Sequence, residues 1–187
     1  MEQRIISFLL NHYIIDYNEK EIYEYGLKKL KGILLNVVLT VVAGIVLGLG
    51  IESIIFLISY ASLRRYAGGY HAPSERSCML LSMLLVITVL LSVKYISVNY
   101  KSLICIAVIS SIAIYIKAPV ESRNKPLNEK ERRIYRIKTR VILCIELIIA
   151  GIIGVCSYMD TTKCMVFSLA SVALLTLFSD KPDNSSA

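Results

Sequence analysis

Residues Arg64–Cys78, which read RRYAGGYHAPSERSC, form a polar stretch between two apolar runs. His71 stands seven residues before Cys78, and on one straight helix that spacing would separate the two side chains by some 10 Å. Pro73 removes a backbone donor and disfavours helical backbone at the residue before it. We therefore predict a bent loop that carries His71, followed by a helix that starts near Pro73 and holds Cys78 in its first turn.

His71 and Cys78 are the residue types of a catalytic base and a thiol nucleophile. A thiol passes its proton to a base at about 2.6–3.2 Å, and the positive end of a helix dipole favours the thiolate. Arg76 nearby acts in the same direction. One alternative is a structural histidine and a cysteine that only fills the helix start. Another is a metal site, but two ligands are fewer than zinc requires, so we predict no metal and no cofactor.

The same stretch holds residues that could contact a peptide substrate. Gly68 and Gly69 could let the loop adopt conformations that other residues avoid, or let a substrate backbone come close. An ordinary flexible turn is the alternative. Arg64 and Arg65 are further candidate substrate contacts. An acyl-transfer reaction also needs donors to its oxyanion, and free backbone amides around Cys78 could supply them.

Two carboxylates could orient His71. Glu146 lies six residues inside an apolar run, about 9 Å from its start, and a carboxylate at such depth in a membrane is a functional candidate. A structural ion pair with Arg64, Arg65 or a loop lysine is the alternative. Glu75 is nearer in sequence, but it could be a solvated charge at a helix start.

The composition indicates a membrane protein. Hydrophobic residues make up 56% of the 187 residues, against about 45–50% in soluble domains, and the mean hydropathy is +0.62. The five cysteines have no framework spacing and do not predict a disulfide scaffold. Four of them are predicted to be apolar fillers in or beside hydrophobic runs: Cys105, Cys144, Cys156 and Cys164.

We predict an all-α, polytopic integral membrane protein with about six transmembrane helices. Residues 1–31 have apolar residues at helical spacing and are predicted to be amphipathic helices, cytoplasmic or interfacial. Residues 32–179 would form the membrane domain and 180–187 a short polar tail. The predicted segments are 32–51, 53–63, 77–93, 102–116, 141–159 and 164–179. The second is too short to span a bilayer alone, so it would borrow flanking residues, lie in thinned bilayer or be a buried partial helix.

Basic residues divide unequally between the two sides of this arrangement. Eighteen of the 21 Lys and Arg residues fall on the side of both termini, the polar stretch and the loop 117–140. Since positive residues collect on the cytoplasmic side, these parts are predicted to be cytoplasmic. The loop could bind anionic lipids or attract an acidic peptide. Its candidate contacts are Lys125, Arg132, Arg133 and Arg136.

Two blocks of sequence resemble a known family. The arginine-rich approach, the glycine pair, and His71 placed seven residues before Cys78 resemble the accessory gene regulator protein B family (AgrB). The block Lys117–Leu127, KAPVESRNKPL, is similar to an A-P-V…N-K-P-like stretch of that family. The resemblance implies a cysteine endopeptidase of the bacterial plasma membrane that processes a quorum-sensing pro-peptide, with His71 as base and Cys78 as nucleophile.

The resemblance also implies the partners and the products. The substrate would be a small pro-peptide with an amphipathic leader and an acidic tail, cleaved through a thioester on Cys78. An internal Cys or Ser of the substrate would then close a thiolactone or lactone ring. A homodimer in the lipid bilayer is implied as well, and no nucleic-acid partner is expected. The rival function is a non-catalytic transporter subunit or scaffold with a basic cytoplasmic loop.

Overall fold

The described residues of the computed structural model, 2–12, 14–70, 75–121 and 127–179, are mostly helical. The helices are α1 (Glu2–Asn11), α2 (Lys20–Leu47), α3 (Gly50–Ala67), α4 (Glu75–Tyr95), α5 (Tyr100–Lys117), α6 (Glu129–Val155) and α7 (Met159–Leu177). A 3-10 turn, Tyr17–Glu19, precedes α2. These ranges contain no named β-strand, so the all-α prediction is confirmed for this part of the chain.

The chain divides into two compact units, Met1–Leu39 and Thr40–Ala187. The first unit contains α1 and the beginning of α2, and the second contains the remaining helices. The predicted end of the N-terminal region at residue 31 falls inside α2, which is continuous from Lys20 to Leu47. The interfacial position of residues 1–31 stays a prediction.

Among the residues that the structure describes, four helical stretches are long and apolar enough to cross a membrane, which supports membrane association. They are Tyr17–Leu47, Ser77–Tyr95, Tyr100–Lys117 and Met159–Leu177. The predicted count of six is not confirmed, because α3 and the apolar end of α6 are not among these four. The short run 53–63 takes in polar residues at both ends and becomes the 18-residue helix α3. Because α3 is not among these four stretches, the three alternatives for this run stay open.

Helix α7 lies at the centre of the second unit and contacts α3, α4, α5 and α6. One buried cluster includes Leu63, Ile114 and Leu169, and a second includes Phe56 and Leu90. The outer faces of α5 and α6 expose large aliphatic side chains, a surface of the kind that lipid covers. The cysteine prediction holds for Cys164, which is buried, whereas Cys105, Cys144 and Cys156 are exposed on the helices.

The predicted loop 117–140 is wrong in its second half, because α6 begins at Glu129. The backbone N–H of Asn128 donates to the Glu131 carboxylate at 3.2 Å, one half of a capping box. Glu129 and Glu131 also complement the positive end of the helix dipole in its first turn. The basic residues from Lys130 to Arg140 therefore lie on helical turns and not on a flexible connection.

Two lysines that are not among the eighteen basic residues predicted to be cytoplasmic bind the ends of helices. Lys94 Nζ donates to the Leu47 carbonyl oxygen at 2.7 Å, and Lys163 Nζ donates to the Val93 carbonyl oxygen at 3.2 Å. Lys163 also pairs with Asp160 at 3.0 Å. The last carbonyls of a helix lack intrahelical donors and carry the negative end of its dipole. These two ammonium groups therefore stabilise the ends of α2 and α4.

Candidate active site

The chain leaves α3 through two glycines with positive φ. Gly68 has φ +70° and Gly69 has φ +124°, values that side chains with a Cβ rarely adopt. Gly68 forms an isolated parallel bridge with Val120, and the Val120 N–H donates to the Ala67 carbonyl oxygen at 2.9 Å. The two blocks of family resemblance, one at each end of this bridge, are therefore adjacent in the fold.

The end of α7 joins the same place. The Tyr70 N–H donates to the Leu175 carbonyl oxygen at 2.8 Å. Backbone bonds thus connect residues 68–70, Val120 and Leu175, and we call this set the three-segment junction. It fixes the chain immediately before His71, which itself lies outside the described residues.

Arg64 holds the junction from the last turn of α3. Its Nη1 donates to the Gly68 carbonyl oxygen and its Nη2 to the Tyr70 carbonyl oxygen. Burial lowers the pKa of the Arg64 guanidinium, and Tyr60 and Cys78 oppose this shift. Arginine nevertheless remains charged in proteins, so Arg64 supplies a fixed positive charge inside the fold.

Cys78 is the fourth residue of α4, as predicted for the first turn. Its thiol is free and half-buried, and it interacts electrostatically with both Tyr60 and Arg64. The role of Cys78 as nucleophile stays a prediction.

Several predicted residues cannot be placed. His71 and Lys125 lie outside the described residues, as does the side chain of Glu75. Their roles as base, substrate contact and orienting carboxylate stay predictions. The described ranges hold no group of three His, Cys, Asp or Glu residues that could bind a metal ion.

Glu146 belongs to a buried polar cluster that joins three helices. Only 5% of the residue is exposed. Ser59 and Ser62 of α3 donate to its two carboxylate oxygens at 3.0 Å each, and Ser59 contacts Ser168 of α7 at 3.0 Å. We call these four residues the serine–glutamate cluster. In the described part of the chain the partners of Glu146 are thus hydroxyls, and not Arg64, Arg65 or a loop lysine.

The basic residues at the start of α6 lie on one face of the helix. Glu129, Arg132, Arg133 and Arg136 line an open groove of about 330 Å³, because residues three and four apart share a face. Arg132 already pairs with Glu121, with Nε 2.9 Å from the carboxylate. The side chains of Arg133 and Arg136 are exposed and remain candidate contacts for an acidic partner.

Arg65 lies beside an aromatic ring. Its guanidinium lies 5.7 Å from the centre of the Tyr66 ring, and Lys138 lies 5.0 Å from the same ring. Tyr135 meets Tyr66 edge-on at 5.6 Å. Arg65 therefore belongs to an aromatic and cationic surface shared by α3 and α6.

Sequence reasoning did not identify Tyr60 as a site residue. Tyr60 and Arg64 are four apart on one helix, a spacing that brings side chains together. That pattern was the available signal that Tyr60 faces the same side of α3 as Arg64.

Replacing Gly68 by alanine should damage the junction. A Cβ there would overlap the Val120 carbonyl oxygen, and φ +70° is unfavourable for alanine. We expect a loss of about 1–3 kcal/mol of stability, measured by thermal unfolding in detergent. Gly151→Ala in α6 is the matched control, because a Cβ there meets nothing within 4 Å. Equal unfolding temperatures for the two variants would contradict the described junction.

Comparison with known proteins gives the family. The family model for accessory gene regulator B matches residues 2–179. An AgrB-like protein of Clostridium perfringens (strain 13 / Type A) is 27% identical over 135 residues, which are 68% of this chain and 62% of that protein. Accessory gene regulator protein B of Staphylococcus aureus (strain MW2) is 33% identical over 103 residues, 54% of this chain and 55% of that protein.

The matches to these relatives are partial, since the chain spans less than two thirds of the length of each. Another Staphylococcus aureus protein of the same name (strain bovine RF122 / ET3-1) is 24% identical over 158 residues, 84% of this chain and 83% of that protein. No solved structure matches the chain. Because the family model covers nearly the whole sequence, the chain belongs to the accessory gene regulator B family.

Proposed function

We propose that this chain is a membrane-embedded cysteine endopeptidase that processes a quorum-sensing pro-peptide at the cytoplasmic face. One observation carries the proposal: two blocks of family resemblance, far apart in sequence, meet at the three-segment junction. Arg64 holds that junction and interacts electrostatically with Cys78. In this proposal Cys78 of α4 is the nucleophile, and residues 68–70 of the junction lead into the proposed base, His71.

The proposed reaction begins with attack of the Cys78 thiolate on the carbonyl at the end of the future signal peptide. A C–S bond forms, and the carbonyl electrons move onto oxygen. When this intermediate collapses, the C–N bond breaks and His71 donates its proton to the leaving amine of the tail. A Cys or Ser inside the substrate then displaces Cys78 from the thioester, which closes the ring and frees the enzyme.

The surroundings of Cys78 suit this role. Cys78 lies in the first turn of α4, and Arg64 interacts with it electrostatically. The apolar helices hold the site in the membrane, and the distribution of basic residues favours cytoplasmic termini. The exposed Arg133 and Arg136 would attract the acidic tail of the substrate.

The experiment that tests this function uses the purified chain in protease-free proteoliposomes. The probe is a synthetic pro-peptide with an amphipathic leader, a central cysteine and an acidic tail. We expect the protein to release the tail of this peptide, and mass spectrometry measures the release. An intact pro-peptide, together with a Cys78 that alkylates no faster than Cys105, would support the rival scaffold or transporter function.

Neutralising the exposed arginines of the α6 groove should weaken pro-peptide capture. The double variant Arg133→Gln, Arg136→Gln should raise the dissociation constant about threefold to tenfold at low ionic strength, since exposed pairs contribute up to about 1 kcal/mol each. The difference should shrink in high salt, where the charges are screened. Fluorescence anisotropy of a labelled pro-peptide measures both conditions.

Arg132→Gln is the matched control for this prediction. Arg132 lies on the same face of α6 but already pairs with Glu121, so its loss should change affinity less than the loss of Arg133. The double variant and the parent could instead have the same affinity at every salt concentration. That result would mean that these arginines only contribute to the membrane topology and do not bind the pro-peptide.

A further inference from the structure

Two positive charges lie beside one aromatic ring where α3 meets α6. The guanidinium carbon of Arg65 is 5.7 Å from the centre of the Tyr66 ring, and Lys138 Nζ is 5.0 Å from the same centre. The edge-on contact of Tyr66 with Tyr135, at 5.6 Å, joins the two helices at this level. We call these four residues the aromatic and cationic surface.

The two charges of this surface have no acidic partner. Both side chains are exposed, and neither Arg65 nor Lys138 pairs with an acidic residue in the part of the chain that the structure describes. Like charges that share one ring repel each other, and an anion bound beside them offsets that repulsion. The aromatic and cationic surface is therefore complementary to a negatively charged partner.

On α3 an exposed aliphatic face leads up to the charge. Ile58 and Ile54 lie seven and eleven residues before Arg65, a spacing that keeps side chains on one face of a helix. Both isoleucines are exposed. The described helix thus carries large aliphatic side chains along this face and a guanidinium at its end.

The same pattern runs in the opposite direction along α6. Val141 and Ile145 lie three and seven residues after Lys138, again on one face, and both are exposed. Because Tyr66 and Tyr135 are in contact, the aliphatic faces of the two helices give way to basic residues at the same level. Tyrosines and basic residues at the end of apolar helical faces are typical of a membrane–water interface.

The arginine groove at the start of α6 lacks this feature. Leu143 and Leu147 lie seven and eleven residues after Arg136 and so continue its face. Leu143 is buried in the cluster around α7, and Leu147 packs against that cluster. The face of Arg136 therefore leads into the helix bundle, whereas the face of Lys138 leads onto its outer surface.

We propose that the aromatic and cationic surface binds the phosphate headgroup of an anionic phospholipid, whose acyl chains lie along the aliphatic faces of α3 and α6. A guanidinium and an ammonium both donate charge-assisted hydrogen bonds to phosphate oxygens. An acidic peptide in water matches the two charges but not the aliphatic faces below them. Arg65 is thereby a lipid contact and not a substrate contact. The inference does not depend on the proposed function.

The test titrates the purified full-length protein in detergent with phosphatidylglycerol or with phosphatidylcholine of the same acyl chains. Native mass spectrometry measures the bound lipid. We expect the parent to bind phosphatidylglycerol more tightly than phosphatidylcholine. The double variant Arg65→Gln, Lys138→Gln should lose about 25-fold in affinity for phosphatidylglycerol, since each basic residue near an anionic membrane surface contributes about fivefold. It should bind phosphatidylcholine like the parent, which also shows that this surface is folded.

Arg133→Gln, Arg136→Gln is the matched control, because it removes the same number of charges from a different face of α6. It should leave the affinity for phosphatidylglycerol close to that of the parent. The double variant Arg65→Lys, Lys138→Arg keeps both charges and should also retain the parental affinity.

Equal losses of phosphatidylglycerol affinity in the two glutamine variants would reduce the effect to net charge and overturn the proposal. Unchanged affinity in Arg65→Gln, Lys138→Gln would overturn it as well. The labelled pro-peptide provides the remaining comparison. If this variant binds phosphatidylglycerol like the parent but captures less pro-peptide, the surface is a peptide site and the lipid proposal is wrong. Lipid binding is measured without any peptide, so a protein that cleaves no pro-peptide can still pass or fail this test.

Discussion

Replacing Cys78 by alanine should stop cleavage of the pro-peptide, with a loss on the order of 10⁶-fold in rate, as for the nucleophile of a serine peptidase. His71→Ala should have a comparable effect, since the group that takes and returns the proton is gone. Cys78→Ser should also be badly impaired, because a hydroxyl ionises far less readily than a thiol. Tail release in proteoliposomes is the measurement.

The control for this prediction removes every other thiol. Alanine at positions 105, 144, 156 and 164 together should leave cleavage present. This variant should be less stable than the parent, chiefly because Cys164 is fully buried and a shorter side chain there loses packing contacts. This variant could lose cleavage at a temperature where it remains folded, although Cys78 is intact. That result would indicate that another cysteine is the nucleophile.

Replacing Glu146 by leucine should destabilise the second unit by about 1–3 kcal/mol, because two hydroxyls lose the carboxylate to which they donate. The hydroxyls of Ser59 and Ser62 donate to the Glu146 carboxylate at 3.0 Å each. Ser59 keeps Ser168 as a partner and Ser62 keeps the Ser59 carbonyl oxygen. Since the cluster connects α3, α6 and α7, the loss should also disturb the turn of α3 that carries Arg64. Thermal unfolding in detergent measures the effect.

Glu146→Gln separates the structural role of the cluster from a role in catalysis. The amide can accept from Ser62 and donate to Ser59, so we expect stability within about 1 kcal/mol of the parent, as for one neutral hydrogen bond replaced by another. A folded Glu146→Gln protein that cleaves normally would restrict Glu146 to a structural role. Equal stability of the leucine and glutamine variants would contradict the hydrogen bonds described for the cluster.

The helical class and the first-turn position of Cys78 could be predicted because both depend on local sequence. Long apolar runs dictate helices such as α5 and α7, and Pro73 disfavours a straight helix through the polar stretch. The start of α6 was also encoded locally, by Asn128 and Glu131 in capping-box spacing. The many charged residues at the beginning of α6 led to the prediction of a loop in this segment.

The serine–glutamate cluster depends on contacts that no local pattern specifies. Ser59 and Ser62 lie in a short run of α3, and their partner Glu146 lies more than eighty residues later in α6. The register between these helices is set by the packing of whole faces around α7. The sequence indicates that a buried carboxylate needs a hydrogen-bond partner. It does not show whether that partner is an arginine or a serine, because both can donate to a carboxylate.

The intact mass of the protein during turnover tests the central claim most directly. Cleavage through Cys78 requires a thioester, so the parent protein should become transiently heavier by the N-terminal part of the pro-peptide. Neutral hydroxylamine should remove the added mass, and Cys78→Ala should never acquire it. Tail release at the parental rate by Cys78→Ala in protease-free proteoliposomes, without an adduct, would contradict the account.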